Sequence, residues 1–523
     1  MTNAREGAVL VGLDVHGIQS FLFATSKLKE VIGASRIVDD FTGSQADDAP
    51  IESLKALGLQ PVQSGKPNGD RWYLPVRLGG GVARVLLPNA DLARKFIRLM
   101  SEWALKNAAG LEFDADWVEF DLSGGDFAKA NAELIERINQ QRQHSTRGNA
   151  FNGFPCCAPC RLTGDPAEGY DGPNERLCAS SLDKRAYQSR RDDRWASVKD
   201  EPILRAFEVD DVRRPFVFDL ESMQGDEASD SYTAVVALDL NNLGEASKNA
   251  VGTKAGIEAL HATRQFVEKV AGATAEGFSK ALNELASNSE SRHEFAAIEG
   301  VVKRCGKLPL RPLVFGGDDL TFVMHAALAP RFAVTLARAL EAAGYASGVG
   351  IAFVKTKSPL SRAIDLAEAL LARAKRAGRD QTRVDFMLCS AEIPADALDR
   401  DASGDRPARG PYALEDFESL VKNATLLHHD LPGSHVRGAA DGFQQSIARG
   451  RDFLRDLMEN IDRGLGGGGR ATPAARALLG EIQKSDRLAA TYLDCVDLRR
   501  FIAPRPDRGT GAPRATQKTE VIR

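Results

Sequence analysis

Between two apolar, β-prone runs the chain reads Gly316-Gly317-Asp318-Asp319, and upstream a third such run, Val236-Ala237-Leu238-Asp239-Leu240, ends in another aspartate. Glycine tolerates the positive φ that a tight hairpin requires, so Gly316-Gly317 predicts a turn with two carboxylates at its tip. If the run ending in Asp239 is the neighbouring strand, three carboxylates converge there. Such an all-oxygen set suits Mg²⁺ or Mn²⁺, with water and phosphate oxygens completing the coordination. Two ions in this setting activate an attacking ribose hydroxyl and stabilise the leaving pyrophosphate, which is nucleotidyl transfer. Successive strand residues face opposite sides, so Asp239 and Asp318 rank above Asp319 as ligands. Taken alone the tetrapeptide is equally a solvated turn; Asp239 at a neighbouring strand end is what argues for chemistry.

Elements that could hold this arrangement occur twice. Val11-Gly12-Leu13-Asp14-Val15 repeats the pattern of a buried strand closing on a carboxylate. It too is followed by a helix-compatible stretch and a glycine turn, Gly79-Gly80-Gly81. After each turn the periodicity predicts a strand (82–87 and 320–324), a helix (91–106 and 331–343) and another strand (117–120 and 348–354). The order βαββαβ, twice, is the ferredoxin-like arrangement of an α+β protein, with helices on one sheet face and the other free for ligands or a partner domain. The division expected is a first such domain over 1–149, a Cys-containing insertion and linker over 150–230, a second domain over 231–395, a helical domain over 396–503 and a disordered tail over 504–523. The helical assignment rests on Leu414, Phe417, Leu420 and Val421, and on Phe453, Leu454, Leu457 and Ile461, at helical spacing. Gly466-Gly467-Gly468-Gly469 interrupts it.

At 523 residues the chain has room for a catalytic unit and accessories, and 43% hydrophobic with 27% charged residues is ordinary for a folded globular protein. The net charge of -4 excludes a uniformly basic nucleic-acid binder and leaves room for a local basic groove. No run of about 18 apolar residues occurs, so a cytoplasmic protein with no membrane partner is expected. Seven cysteines is an odd number for a disulfide framework, and four cluster between Cys156 and Cys178. Cys157-Ala158-Pro159-Cys160 has zinc-knuckle spacing, Cys178 is a third candidate ligand, and Cys156 or His144 would have to be the fourth. The alternative is a relict knuckle packed without metal. Arg185, Arg190, Arg191 and Arg194 with Tyr187 and Trp195 have a composition that grips a phosphate backbone, although interleaved Asp183, Asp192 and Asp193 favour a solvated loop.

The Asp239-Leu240-Asn241-Asn242-Leu243-Gly244 segment, the Gly316-Gly317-Asp318-Asp319 turn, the Gly348-Val349-Gly350-Ile351-Ala352 strand and Ala374-Lys375 together resemble the catalytic palm of the CRISPR polymerase family, the large subunit of type III CRISPR effector complexes. Asp14-Val15-His16-Gly17-Ile18-Gln19-Ser20-Phe21-Leu22-Phe23 and Gly33-Ala34-Ser35 resemble that family's first, degenerate palm. The resemblance implies ATP as substrate, its joining into cyclic oligoadenylates, dependence on Mg²⁺ or Mn²⁺, and activation by target RNA bound to a complex containing guide RNA. It implies metal ligation by Asp239, Asp318 and Asp319, a triphosphate contact for Lys375, a nucleotide border at Asn241 and Asn242, and a zinc-bearing insertion. Three departures qualify it. Asn241 stands where many relatives carry a second aspartate; Gly81 replaces the first palm's acid, leaving Asp14 a structural or nucleotide-shaping role; and the sequence starts on the palm strand rather than on a histidine-aspartate nuclease domain, with His429-Asp430 read as structural. Two other readings compete: a scaffold subunit that keeps the palms for assembly, and a stand-alone cyclase making a dinucleotide, for which a dimer is the expected form.

Overall fold

The computed structural model describes residues 7–63, 65–67, 69–144, 157–188, 215–223, 232–287, 306–389, 410–431, 433–462 and 472–501. Cys156, Arg190, Arg191, Arg194, Trp195, Gly466 to Gly469 and the tail from Pro504 lie outside them, as does the side chain of His144. The protein is α+β. The first half runs β1 (Gly7–Val15), α1 (Ile18–Leu22), α2 (Leu28–Thr42), α3 (Ala49–Ala56), β2 (Gln60–Pro61), β3 (Trp72–Gly79), β4 (Val82–Leu87), α4 (Ala90–Asn107), β5 (Phe113–Asp121) and α5 (Phe127–His144), with sheet order β2-β3-β4-β1-β5. An insertion follows: a small hairpin, β6 (Gly169–Asp171) and β7 (Glu175–Leu177), then α6 (Ala179–Gln188).

The second half runs β8 (Tyr232–Leu240), α7 (Leu243–Val251), α8 (Gly256–Ser287), β9 (Leu310–Phe315), β10 (Asp319–His325), α9 (Ala329–Ala342), β11 (Ser347–Lys355), α10 (Leu360–Ala377) and β12 (Arg383–Leu388). Its sheet has the order β13-β12-β11-β8-β10-β9, the outer strand β13 (Tyr412–Ala413) coming from beyond residue 395. Among the described residues five helices complete the fold: α11 (Leu414–Asp430), α12 (Gly433–Gln445), α13 (Ile447–Asp462), α14 (Pro473–Lys484) and α15 (Asp486–Arg499). Their apolar faces join the second palm's core through Phe417, Phe443 and Tyr492. Asp430 is buried and accepts a hydrogen bond from the Thr472 hydroxyl at 2.6 Å, which gives it a structural place.

Strand alternation decides how the halves meet. In β8, Ala234, Val236, Leu238 and Leu240 face the core shared with α8 and α9, while Val235 and Ala237 face the other side. That other side is covered by α10 (Ala363, Ile364, Ala367) and by Leu28, Val31 and Ile32 of α2, a helix of the first half. The exchange is reciprocal: Ala8, Leu10 and Leu86 of the first sheet pack against Leu134 and Ile138 of α5 and against Ile257 and Leu260 of α8. Each half therefore lends a helix to the other's sheet, and fully burying each such Leu or Ile contributes roughly 1.5–3 kcal/mol. The face left free by the ferredoxin-like pattern is the interface.

The insertion rides on α2. A Cβ at Gly33 would lie 1.7 Å from the Lys184 carbonyl oxygen, so only glycine permits α6 to approach this closely. Glu30, 1% exposed, fixes the contact by accepting from Thr25, Ser181 and Arg185. The Arg185 guanidinium is also paired with Asp171 and Glu175, so at this residue neither the favoured solvated loop nor the phosphate grip is found: it lies on a helix and three carboxylates occupy it. Tyr187 is likewise buried in the first core rather than displayed for stacking.

Candidate active site

The acidic tip is built by register. Asp319 pairs directly with Asp239 across β10 and β8, so their side chains share one sheet face, the one covered by α10 and α2. Asp318 precedes the strand and lines the opposite side, against α7 and α8. The expectation that Asp318 rather than Asp319 faces Asp239 is therefore reversed: alternation holds, but the hairpin places the second aspartate opposite Asp239. Gly317 has φ of 83°, and the turn closes with the Gly316 amide donating to the Asp319 carbonyl at 2.8 Å. Buried Thr274 of α8 anchors it by donating to the Gly317 carbonyl oxygen at 2.5 Å.

Helix α10 supplies the flanking charges. Lys375 Nζ is ion-paired with Asp239. Glu368, two turns earlier on the same helical face, accepts a 2.7 Å hydrogen bond from Gln19 Nε2 of the first half. Water reaches Asp319, but it sits in a concavity crowded with protein. This burial pushes its carboxyl up to about 7, reinforced by the charges of Asp239, Asp318 and Glu368 and opposed by Lys375. Gly348 and Gly350 let α10 lie this close to β11: a Cβ on Gly348 would be 2.8 Å from the Lys375 side chain, and one on Gly350 2.1 Å from the Ala367 carbonyl oxygen.

Asn241 is buried beside this tip, its amide hydrogen-bonded to the Ala346 carbonyl at 2.8 Å, while neither end of its side chain finds a protein partner. Asn242, at φ 57°, occupies the N-cap position of α7 without a side-chain capping bond and donates instead to the Arg379 carbonyl at 3.3 Å. As a donor set, Asp239, Asp318 and Asp319 are chemically apt for a hard divalent cation. Among the described residues, however, no three His, Cys, Asp or Glu side chains are already gathered as metal ligands. Lys375 holds the Asp239 carboxylate that an ion would claim.

The first half has the same frame with different side chains. Asp14 pairs in register with Val82 as Asp239 does with Asp319, so Gly81 and Val82 stand at the positions of Asp318 and Asp319. Two residues along, Arg84 stands where the second half has Thr321, and it grips Asp14 through two bonds, of 2.5 and 3.1 Å. Asp14 is thus neutralised within its own sheet. Gly79, Gly80 and Gly81 all have positive φ, and a Cβ on Gly81 would lie 2.3 Å from Ile18 Cδ1. No carboxylate-bearing residue fits there without strain. The two glycine turns touch, a Cβ on Gly316 falling 3.6 Å from Gly80 Cα. Between them opens a cavity of about 1190 Å³, lined by Asp14, Arg84 and Asn131 on one wall and by Lys248, Phe278 and Asp318 on the other. That exceeds the roughly 300–1,000 Å³ of an ordinary small-molecule pocket.

In the insertion Cys160 and Cys178 are buried together while Cys157 is exposed. Burial pushes the Cys160 thiol up, but hydrogen bonds from Leu162, Thr163 and Cys178 outweigh it and bring the thiol down to about 7. That suits a thiolate ligand. Yet Cys157, Cys160 and Cys178 do not form a ligand cluster, and the described residues supply no closed four-ligand zinc site.

Gln19, Glu368, Arg84 and Thr274 border the candidate site and were not singled out as site residues from the sequence. Glu368 had a signal, its spacing of two turns from Lys375; the others meet the site only through tertiary contacts. Among the described residues no helix is long and apolar enough to cross a membrane.

No curated protein sequence matches the chain significantly. Its fold is similar to that of Csm1 from T. onnurineus (TM-score 0.51, 15% identity, covering 96% of this chain and 70% of that one). It is also similar to a Csm1-Csm4 cassette in complex with cA4 (TM-score 0.51, 14% identity, 95% and 70%) and to one in complex with cA3 (TM-score 0.50, 14% identity, 96% and 70%). Residues 232–383 match the protein-family model described as Cas10/Cmr2, second palm domain. Residues 232–383 thus match a Cas10/Cmr2-type second palm, and the chain as a whole shares the fold of Csm1, with two facing palms and the hairpin aspartates at their junction.

Proposed function

We propose that this protein is a nucleotidyltransferase that joins ATP into cyclic oligoadenylate-type messengers within a type III CRISPR effector, activated when target RNA pairs with guide RNA held by the complex. The observation that carries the reading is the register pair Asp239 and Asp319 at the glycine hairpin, set against the first palm's own glycine turn. Similar chains bear on the ligand: Csm1-Csm4 cassettes have been crystallised with cA3 and with cA4. A divalent ion bound here would supply Lewis acidity to a triphosphate and lower the pKa of an attacking hydroxyl. Asp239 and Asp319 would hold it, with Asp318 beside them. Lys375, released from Asp239, is a compact cation suited to a phosphate oxygen. The buried, unpaired carboxamide of Asn241 fixes the depth of the site without adding charge. The cavity beside Asp14 and Arg84 has the size for the second nucleotide, whose ribose would face the hairpin from the other palm.

Purified protein incubated with each nucleoside triphosphate and Mn²⁺, with and without activating RNA, and analysed by mass spectrometry tests this. Cyclic adenylate products that vanish in Asp239→Ala and Asp319→Ala are expected. Products unchanged in both variants would overturn the reading. One observation favours a second reading, a scaffold subunit: the ion pair of Lys375 with Asp239 satisfies the strand-end carboxylate without metal. Co-purification of RNA and partner subunits with no nucleotide product would favour it.

A further inference from the structure

Gln19 belongs to the first palm, on the short helix α1, yet its side chain ends on the second palm's catalytic helix. Its Nε2 donates to Glu368 Oε1 at 2.7 Å. The neighbouring Ile18 lies against Gly81 of the first palm's turn, so α1 spans from that turn to α10. On α10, Glu368 and Lys375 share a face two turns apart, and Lys375 is paired with Asp239. Within its own palm α10 is held by its close approach to Gly348 and Gly350 and by the ion pair of Arg373 with Asp385, and Leu28, Val31 and Ile32 of the first palm join the same apolar cluster. A directional bond to a charged acceptor fixes rotation.

We propose that Gln19 is a positioning residue of the second palm's acidic site, holding Glu368 and thereby the rotational setting of α10 that presents Lys375 to Asp239. The first palm, whose glycine turn carries no acid, then still shapes the chemistry of the second. The catalytic consequence rests on the nucleotidyltransferase reading; the mechanical one does not. Glu368 touches no reacting atom in this account and acts only through the helix it sits on.

Hydrogen exchange of the full-length protein tests the mechanical part without turnover. In Gln19→Ala, α10 amides are expected to exchange about fivefold faster, the loss of one hydrogen bond, with the thermal midpoint unchanged. Identical exchange of α10 in variant and wild type would overturn the proposal whether or not the protein makes any product. Where wild type is active, Gln19→Ala and Glu368→Ala should each lower kcat about fivefold with KM for ATP within twofold. The double variant should be no worse than either single, and Glu368→Gln, which keeps an acceptor oxygen for Gln19, should retain wild-type kcat. Additive losses, or a Glu368→Gln variant as impaired as Glu368→Ala, would refute the tie, while absence of product from wild type would count against the nucleotidyltransferase reading alone.

Discussion

Replacing Gly350 by alanine probes how closely helix α10 must approach the catalytic sheet. Gly350 lies on β11 opposite Ala237, on the face that carries Asp239, and its added Cβ would sit 2.1 Å from the Ala367 carbonyl oxygen and 2.5 Å from the Leu371 amide nitrogen. Both are backbone atoms of α10, so no side-chain rotation relieves the clash. Restoring an ordinary contact of 3.4 Å requires the helix to retreat by about 1.3 Å. Overpacking of this kind typically costs about 1–3 kcal/mol of stability. Lys375 and Glu368 ride on the displaced helix, and a misplacement of about 1 Å at a reacting centre can cost on the order of a hundredfold in rate. Urea denaturation of Gly350→Ala should show the stability loss, and nucleotide-product formation, measured where the protein remains folded, should fall by about that factor. Gly272→Ala is the control: mid-helix in α8, with nothing within 4 Å of its added Cβ, it should gain roughly 0.5–1 kcal/mol. Wild-type stability together with wild-type turnover in Gly350→Ala would refute the claim that glycine sets the spacing of α10.

Asp319→Asn should lower Mn²⁺-dependent product formation by on the order of a hundredfold, and Asp318→Asn by distinctly less, because only Asp319 shares a face with Asp239; an equal loss in rate assays would show that register does not rank them. Asp48 carries a pH signature: burial, with Asp40, Asp47 and Glu52 adding to it against the Gln45 amide, pushes its carboxyl from 3.8 to about 7. The folded state then holds a proton that the unfolded state releases, so its contribution to stability falls as pH rises from about 4 to 7, at up to roughly 1.4 kcal/mol per pH unit. Asp48→Asn should remove that slope, so urea denaturation at pH 5 and pH 8 should find the variant gaining on wild type at the higher pH; a constant difference would count against it. Gly33→Ala should separate α6 from α2 and expose the Glu30 network, costing about 1–3 kcal/mol in denaturation and making the insertion more susceptible to limited proteolysis.

The duplicated βαββαβ order was legible because the opening strand run of each half is apolar and closes on an aspartate, and each glycine turn announces a hairpin. The strand expected at 82–87 forms at Val82–Leu87, and the helix expected over 91–106 forms at Ala90–Asn107. Gly-Gly-Asp-Asp by itself marked only a turn with two carboxylates, and it was Asp239 at the end of a neighbouring strand run that made the tip a candidate acidic site. Which aspartate faces Asp239 was not legible, because side-chain facing depends on the pairing register, and a one-residue slip reverses it.

What the sequence determined by itself, then, is local: turns, strand ends, helix periodicity and the loss of acid from Gly79-Gly80-Gly81, all set by backbone sterics and burial over a few residues. Only the tertiary structure decided that Arg84 neutralises Asp14, that Arg185 is spent on three carboxylates, and that Gln19 reaches Glu368 across the palms. A side chain's partner is chosen by which surfaces meet when apolar area is buried. Here α2 and α8 cross between the palms, so residues hundreds of positions apart share one site.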